Sequence, residues 1–228
     1  MKKSYWFILF GAVLTANLAD RQFNNGQLEY YFKSLLIPVL AGYFISQTNK
    51  ITNSLKKWIR LALFFSWAGD VLLMFEPKDK IFFLLGLSSF LLAHIFYIGF
   101  FHFVRLREKI RGNPWLLGAV VVYYAALVML LFPYLLDMKI PVLVYGIVIS
   151  FMFMLAMHMP AIKNKEAGKW MMTGALLFVI SDSVLAINKF YKPFEGAGIV
   201  IIVTYGLAQL FIVQGAMKYI RGAKNTPE

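Results

Sequence analysis

Eight apolar stretches of about 17–24 residues recur along this 228-residue chain, near 4–20, 30–48, 57–76, 81–104, 115–134, 139–160, 168–188 and 197–219. At 1.5 Å of rise per residue, a helix of that length crosses the roughly 30 Å hydrocarbon core of a bilayer. The expected fold is therefore all-α, a polytopic membrane bundle of eight transmembrane helices. The connections are short and several carry turn residues: Asn24-Asn25-Gly26, Glu76-Pro77, Gly112-Asn113-Pro114 and Lys192-Pro193-Phe194-Glu195-Gly196. No linker is long enough to divide the chain, so residues 1–228 are expected to form a single transmembrane domain.

Composition excludes several function classes. With 60% hydrophobic and 15% charged residues, the chain has too little polar surface to cover a soluble globule of its size. It contains no Cys, which removes disulfides, thiolate nucleophiles and thiolate metal sites. The net charge of +12 sits in short clusters between the apolar runs rather than along one face, so no nucleic-acid partner is expected. Topology accounts for it better. With a cytoplasmic N-terminus, 16 of the 23 Lys and Arg residues fall on the inner side, among them Lys50, Lys56, Lys57, Arg60, Arg105, Arg107, Lys163, Lys165, Lys218 and Arg221, with Lys2 and Lys224 at the ends. Arg21, Lys33, Lys78, Lys80, Lys139, Lys189 and Lys192 fall on the outer side. This bias predicts a multi-pass protein of the cell membrane with both termini cytoplasmic. Met1-Lys2-Lys3 and the apolar run after it resemble a signal peptide, but no small-residue cleavage site precedes Asn17 and Asp20, so a retained first span is expected.

Two acids interrupt these runs. Asp70 lies in Ser66-Trp67-Ala68-Gly69-Asp70-Val71-Leu72 and Asp182 in Val179-Ile180-Ser181-Asp182-Ser183-Val184. An ionised carboxylate inside a bilayer costs several kcal/mol unless it is paired, hydrated or protonated, so a retained one marks a functional site by default. Each lies about six residues from the outer end of its span, roughly 9 Å below the outer interface. Equal depth lets the two face each other. Two neighbouring carboxyls in a low dielectric do not both ionise readily, which provides a proton donor and a base in one place. In the alternative structural role, each would bond a neighbouring helix, or pair with Lys33 or Lys189, and so hold the bundle together.

The spans also align weakly as two parallel four-helix repeats, with Asp70 matching Asp182 and Leu92-Ala93-His94-Ile95-Phe96 matching Leu207-Ala208-Gln209-Leu210-Phe211. His94 lies near the middle of the fourth span with Tyr97 one turn on, and Tyr205 and Gln209 stand at i and i+4 in the eighth. Each can serve a ligand or join helices. Lys33 and Lys189 lie at the outer mouth, where an ammonium snorkels to water or binds a lipid phosphate, and Lys189 is two turns from Asp182 on the same face. No metal site is expected, because His102 and His158 lie near the inner ends, far in depth from His94. No Gly-x-Ser-x-Gly occurs, which argues against serine hydrolase chemistry.

In order along the chain, Lys33 with Pro38, Gly69-Asp70, Gly86 through Ala93-His94 and Tyr97, Ser181-Asp182 with Leu185-Ala186 and Lys189-Phe190, and Tyr205 with Ala208-Gln209 resemble the YhhN-like lysoplasmalogenase family of eight-span membrane proteins. The resemblance implies hydrolysis of the vinyl ether bond of a lysoplasmalogen, a lysophospholipid-type substrate drawn from membrane lipid, to a fatty aldehyde and glycerophosphoethanolamine or glycerophosphocholine, with no cofactor. Asp70, Asp182 and His94 are then the catalytic candidates, and Lys33, Lys189, Tyr97, Tyr205 and Gln209 the substrate-binding ones. The competing class is a proton-coupled transporter of lipids or small molecules, which also uses intramembrane acids. A third is a structural or assembly protein, which would tolerate neutral residues at both aspartates.

Overall fold

A computed structural model describes residues 3–23 and 29–223. The turn at Asn24-Asn25-Gly26 and the charges of Lys2 and Lys224 lie outside the described residues. The described residues form eight long helices: α1 (Lys3–Phe23), α2 (Glu29–Thr48), α3 (Lys56–Met74), α4 (Ile81–Arg107), α5 (Pro114–Leu131), α6 (Lys139–Ala156), α7 (Lys165–Ala186) and α8 (Ala197–Ala223). No strand occurs among the described residues. Among the described residues five segments, α4 to α8 with their short extensions, are long and apolar enough to cross a membrane. α1, α2 and α3 have 21, 20 and 19 residues and include Asp20, Arg21, Lys33, Arg60 and Asp70.

Local chemistry sets the boundaries. Pro114 opens α5 at a position where no N–H is needed, and Asn113 caps it by accepting from the Trp115 N–H at 3.0 Å. Asn164 caps α7 in the same way through the Ala167 N–H at 3.1 Å. The predicted fifth span runs to 134, but the α-helix stops at Leu131 and Phe132–Tyr134 tightens into a 3-10 turn at Pro133, which has no N–H to continue the ladder. α7 ends in a π turn, Ile187–Tyr191, which the apolar pattern did not signal.

Polar contacts at the two ends fix the direction of each helix. At one end Arg221 reaches Gln47 (3.1 Å), Lys56 reaches the Thr48 carbonyl (3.2 Å), Arg107 reaches Ser54 (3.0 Å), the Asn113 N–H before α5 reaches His158 after α6 (3.1 Å), Tyr219 reaches Glu108 (3.2 Å) and Lys218 pairs with Glu166. At the other, Lys189 pairs with Glu76, and Arg21 lies against Gly198. Successive helices thus run antiparallel, and most of the described basic residues gather at the first end.

The bundle is apolar outside and partly polar inside. Trp115, Val122, Met129 and Ile140 are exposed on α5 and α6, whereas Asn17, Asp70, His94, Gln209 and Gln214 are buried. That distribution suits a lipid surround. The closest helix pairs are α3 with α4 and α7 with α8. Glycine permits the second: a Cβ on Gly174 would stand 2.7 Å from the Ile212 nitrogen and 2.8 Å from the Ala208 carbonyl oxygen. Backbone cannot yield as a flexible side chain can, so Gly174→Ala should cost about 1–3 kcal/mol as the helices are pushed apart. A lowered thermal midpoint of the detergent-purified protein checks this.

Candidate active site

On α3, Ile59, Ala62, Leu63, Ser66 and Asp70 are all buried at helical spacing, so the stripe that packs into the bundle carries the carboxyl inward with it. Gly69 sets its position: a Cβ there would fall 2.6 Å from the Phe90 ring of α4, so the ring lies directly on the α3 backbone. Phe90 in turn meets Tyr205 of α8 edge to face at 5.8 Å. Tyr205 donates its hydroxyl to Asp70 Oδ2 at 2.7 Å. One turn along both antiparallel helices, Gln209 Nε2 donates to Ser66 Oγ at 2.9 Å, and Gln209 Oε1 accepts from the Tyr97 hydroxyl at 2.5 Å. The pairs 70 with 205 and 66 with 209 form a short ladder between α3 and α8.

Asp182 is held from the other side. Tyr145 of α6 donates to Asp182 Oδ2 at 2.5 Å, while the neighbouring Ser181 hydroxyl bonds the Ile201 carbonyl of α8 at 3.1 Å. Behind Tyr145 lies His94, wholly buried, with its ring edge-to-face against Tyr145 (5.3 Å) and Phe178 (4.7 Å). Its Nδ1–H is donated to the Phe90 carbonyl at 2.7 Å, and its Nε2 has no hydrogen-bond partner.

Asp70 and Asp182 line one cavity of about 540 Å³. Tyr145, Tyr205, Ser181 and Phe90 share its depth, and Arg21, Lys33, Glu76 and Asn188 also line it. The two aspartates, Tyr205 and Lys33 therefore lie together on one wall system. The other four residues singled out from the sequence lie off it. Tyr97 and Gln209 anchor Ser66 one layer further in, and His94 stands behind Tyr145. Lys189 pairs with Glu76 and lies over the Phe83 ring at 4.6 Å, so it reaches the cavity only through the residues it touches. Among the described residues no three His, Asp or Glu side chains come together as metal ligands.

Arg21, Glu76, Asn188 and above all Tyr145 were not singled out in the sequence. Depth is the signal for Tyr145. It lies six residues into α6 from Lys139, at the level expected for both aspartates.

The model of the YhhN family matches residues 28–216, which contain the whole cavity apart from Arg21. The chain belongs to the YhhN family. Relatives of this YhhN chain include human lysoplasmalogenase TMEM86B, 31% identical over 192 residues, which span 82% of this chain and 74% of that protein. The lysoplasmalogenase of Mycobacterium bovis is 32% identical over 194 residues, 84% of this chain and 71% of its own length. Human lysoplasmalogenase TMEM86A is 31% identical over 169 residues, 70% of this chain and 65% of its own. No solved structure matches the chain.

Proposed function

We propose that this YhhN protein is a lysoplasmalogenase-like hydrolase of the membrane, cleaving the vinyl ether bond of an alkenyl glycerophosphoethanolamine or glycerophosphocholine by acid–base catalysis between Asp70 and Asp182. The observation that carries the reading is that two intramembrane carboxyls, each accepting a tyrosine hydroxyl, line one cavity together with Lys33 and Arg21. The names of the relatives point the same way.

A vinyl ether opens when its outer alkene carbon is protonated, leaving an oxocarbenium ion. One carboxylic acid gives that proton. The other, as carboxylate, stabilises the cation and takes a proton from the water that adds to it, the division of labour seen in glycosidase carboxylate pairs. The resulting hemiacetal passes its hydroxyl proton to the departing glycerol oxygen and falls apart into aldehyde and alcohol. One water is consumed, and return of the proton from the second carboxyl to the first restores the pair. Lys33 and Arg21, with Glu76 and its partner Lys189 beside them, form a charged region suited to a phosphate and an ammonium. Tyr145 and Tyr205 orient the carboxyls, and His94 supports Tyr145 from behind. Tyr97 and Gln209 support the Asp70 wall through Ser66.

We take all eight helices as spans, with both termini in the cytoplasm and the basic end inward. The antiparallel succession and the gathering of basic residues at one end support this arrangement. The intimacy of α3 with α4 and of α7 with α8, pairs that a parallel duplication would relate, supports two four-helix repeats.

The decisive experiment supplies detergent-purified protein with lysoplasmalogen, with the ester lysophospholipid and with the two-chain plasmalogen, and measures aldehyde. Release from lysoplasmalogen is the expected result. No release, with lipid instead moved across a reconstituted bilayer, would replace the hydrolase by a carrier. Losing one charge-assisted contact to the phosphate, Lys33→Ala should raise KM by about tenfold or more while kcat changes less. A kinetic series over substrate concentration reads that split.

A further inference from the structure

Two stripes on α7 face different spaces. Ser181, Leu185 and Asn188 look into the polar cavity, whereas Val179, Ser183 and Ala186 look into an apolar cleft between α5, α6 and α7. Asp182 lies between the stripes and lines both spaces, and across from it Tyr145 does the same. Among the described residues no other is common to the two linings. The hydrogen-bonded Asp182 and Tyr145 therefore form the partition between a charged chamber and a cleft walled by Leu127, Val128, Leu131, Leu135 and Ile149.

An amphiphile divides in the same way. We propose that the apolar cleft receives the single hydrocarbon chain of the substrate, which leaves the head group in the polar cavity and the scissile bond at the Asp182–Tyr145 partition. The proposal rests on the reading of the protein as a lysoplasmalogenase-like hydrolase and adds to it the site of the chain. It also assigns the two acids. The carbon to be protonated belongs to the chain, so the donor is Asp182, which touches the chain's space; Asp70, on the head-group side alone, takes the proton of water.

The cleft encloses only about 50 Å³, space for a few groups the size of water. A chain must therefore enter by displacing a wall, and α5 is the wall that can yield. Of its residues only Val120 and Leu131 are buried, and it packs chiefly on α6. One hydroxyl contact, Tyr123 with Ser183, ties it to α7 across the cleft. The outer face of α5 is exposed and apolar at Trp115, Val122 and Met129, so a chain arriving from the bilayer can pass sideways without crossing the charged chamber.

The test uses a saturated ether lysophosphocholine, which cannot be cleaved, with a photoreactive diazirine midway along its chain. Photolysis with the detergent-purified protein, followed by mass spectrometry, should place adducts on Leu127, Leu131, Val142 or Ile149. Excess unlabelled analogue should displace them, and glycerophosphocholine, which lacks the chain, should not. Filling the cleft by Val142→Phe, at a half-buried position, should lower labelling relative to a short-chain probe on the order of tenfold. Leu127→Phe from the opposite wall should do the same, so one misfolded variant does not decide the matter. Adducts on Leu87, Ile201 or Ile202 of the polar cavity would overturn the proposal, as would cleft labelling that the unlabelled analogue does not displace. Labelling needs no turnover, so a wild-type protein that releases no aldehyde sinks the assigned reaction, whereas a misplaced adduct sinks only the chain site.

Discussion

Asp182→Asn lowers aldehyde release from lysoplasmalogen by between about a hundredfold and ten-thousandfold, the span over which a positioned general acid contributes to rate. The substitution is nearly isosteric. The amide oxygen still accepts the Tyr145 hydroxyl, which stands 2.5 Å from Asp182 Oδ2, so the α6–α7 contact survives. Ser181 continues to hold the Ile201 carbonyl of α8. An amide, however, has no proton to give to carbon. The variant should therefore elute and denature as the parent does while its turnover collapses. Tyr145→Phe is the graded companion: it leaves the acid but removes the group that orients it, so its loss should be smaller. Aldehyde measured against elution and thermal midpoint for the three proteins checks the order. Near-normal turnover in Asp182→Asn would remove this carboxyl from the reaction.

Both aspartates were legible in the sequence because an acid inside an apolar run is costly enough to stand out against its neighbours. Their placement on one cavity followed from depth, since six residues from the same interface is a distance along the bilayer normal and needs no knowledge of packing. One helical turn is enough to take a side chain out of the cavity. Tyr97 and Gln209 have the right chemistry but lie one turn deeper, where they bond each other and Ser66 instead of lining it. Lys189 lies beyond the start of the π turn at Ile187 and meets Glu76. Tyr145 stayed hidden for the opposite reason: a tyrosine in an apolar helix is ordinary, and only its partner across the bundle gives it meaning. The apolar cleft was equally invisible, because residues such as Leu131 and Ile149 look the same whether they line a cleft or pack a core.

Asp70→Asn should abolish turnover over the same range, about a hundredfold to ten-thousandfold, for a different reason. Tyr205 still donates to the amide oxygen, and the Ser66–Gln209–Tyr97 chain one turn away holds α3 to α8 without any help from Asp70. The fold is thus over-determined at this contact, whereas the anion that faces the cation and the water is lost outright. The double variant separates two accounts of the pair. If both carboxyls serve one proton-transfer sequence, either single change already breaks it, and Asp70→Asn with Asp182→Asn together should be hardly slower than the worse of the two. If the residues act independently, the losses multiply and the double variant falls below both. Residual rates of the three proteins, measured on one substrate at one pH, distinguish the outcomes, and multiplicative losses would dissolve the pair as a catalytic unit while leaving each aspartate its own role.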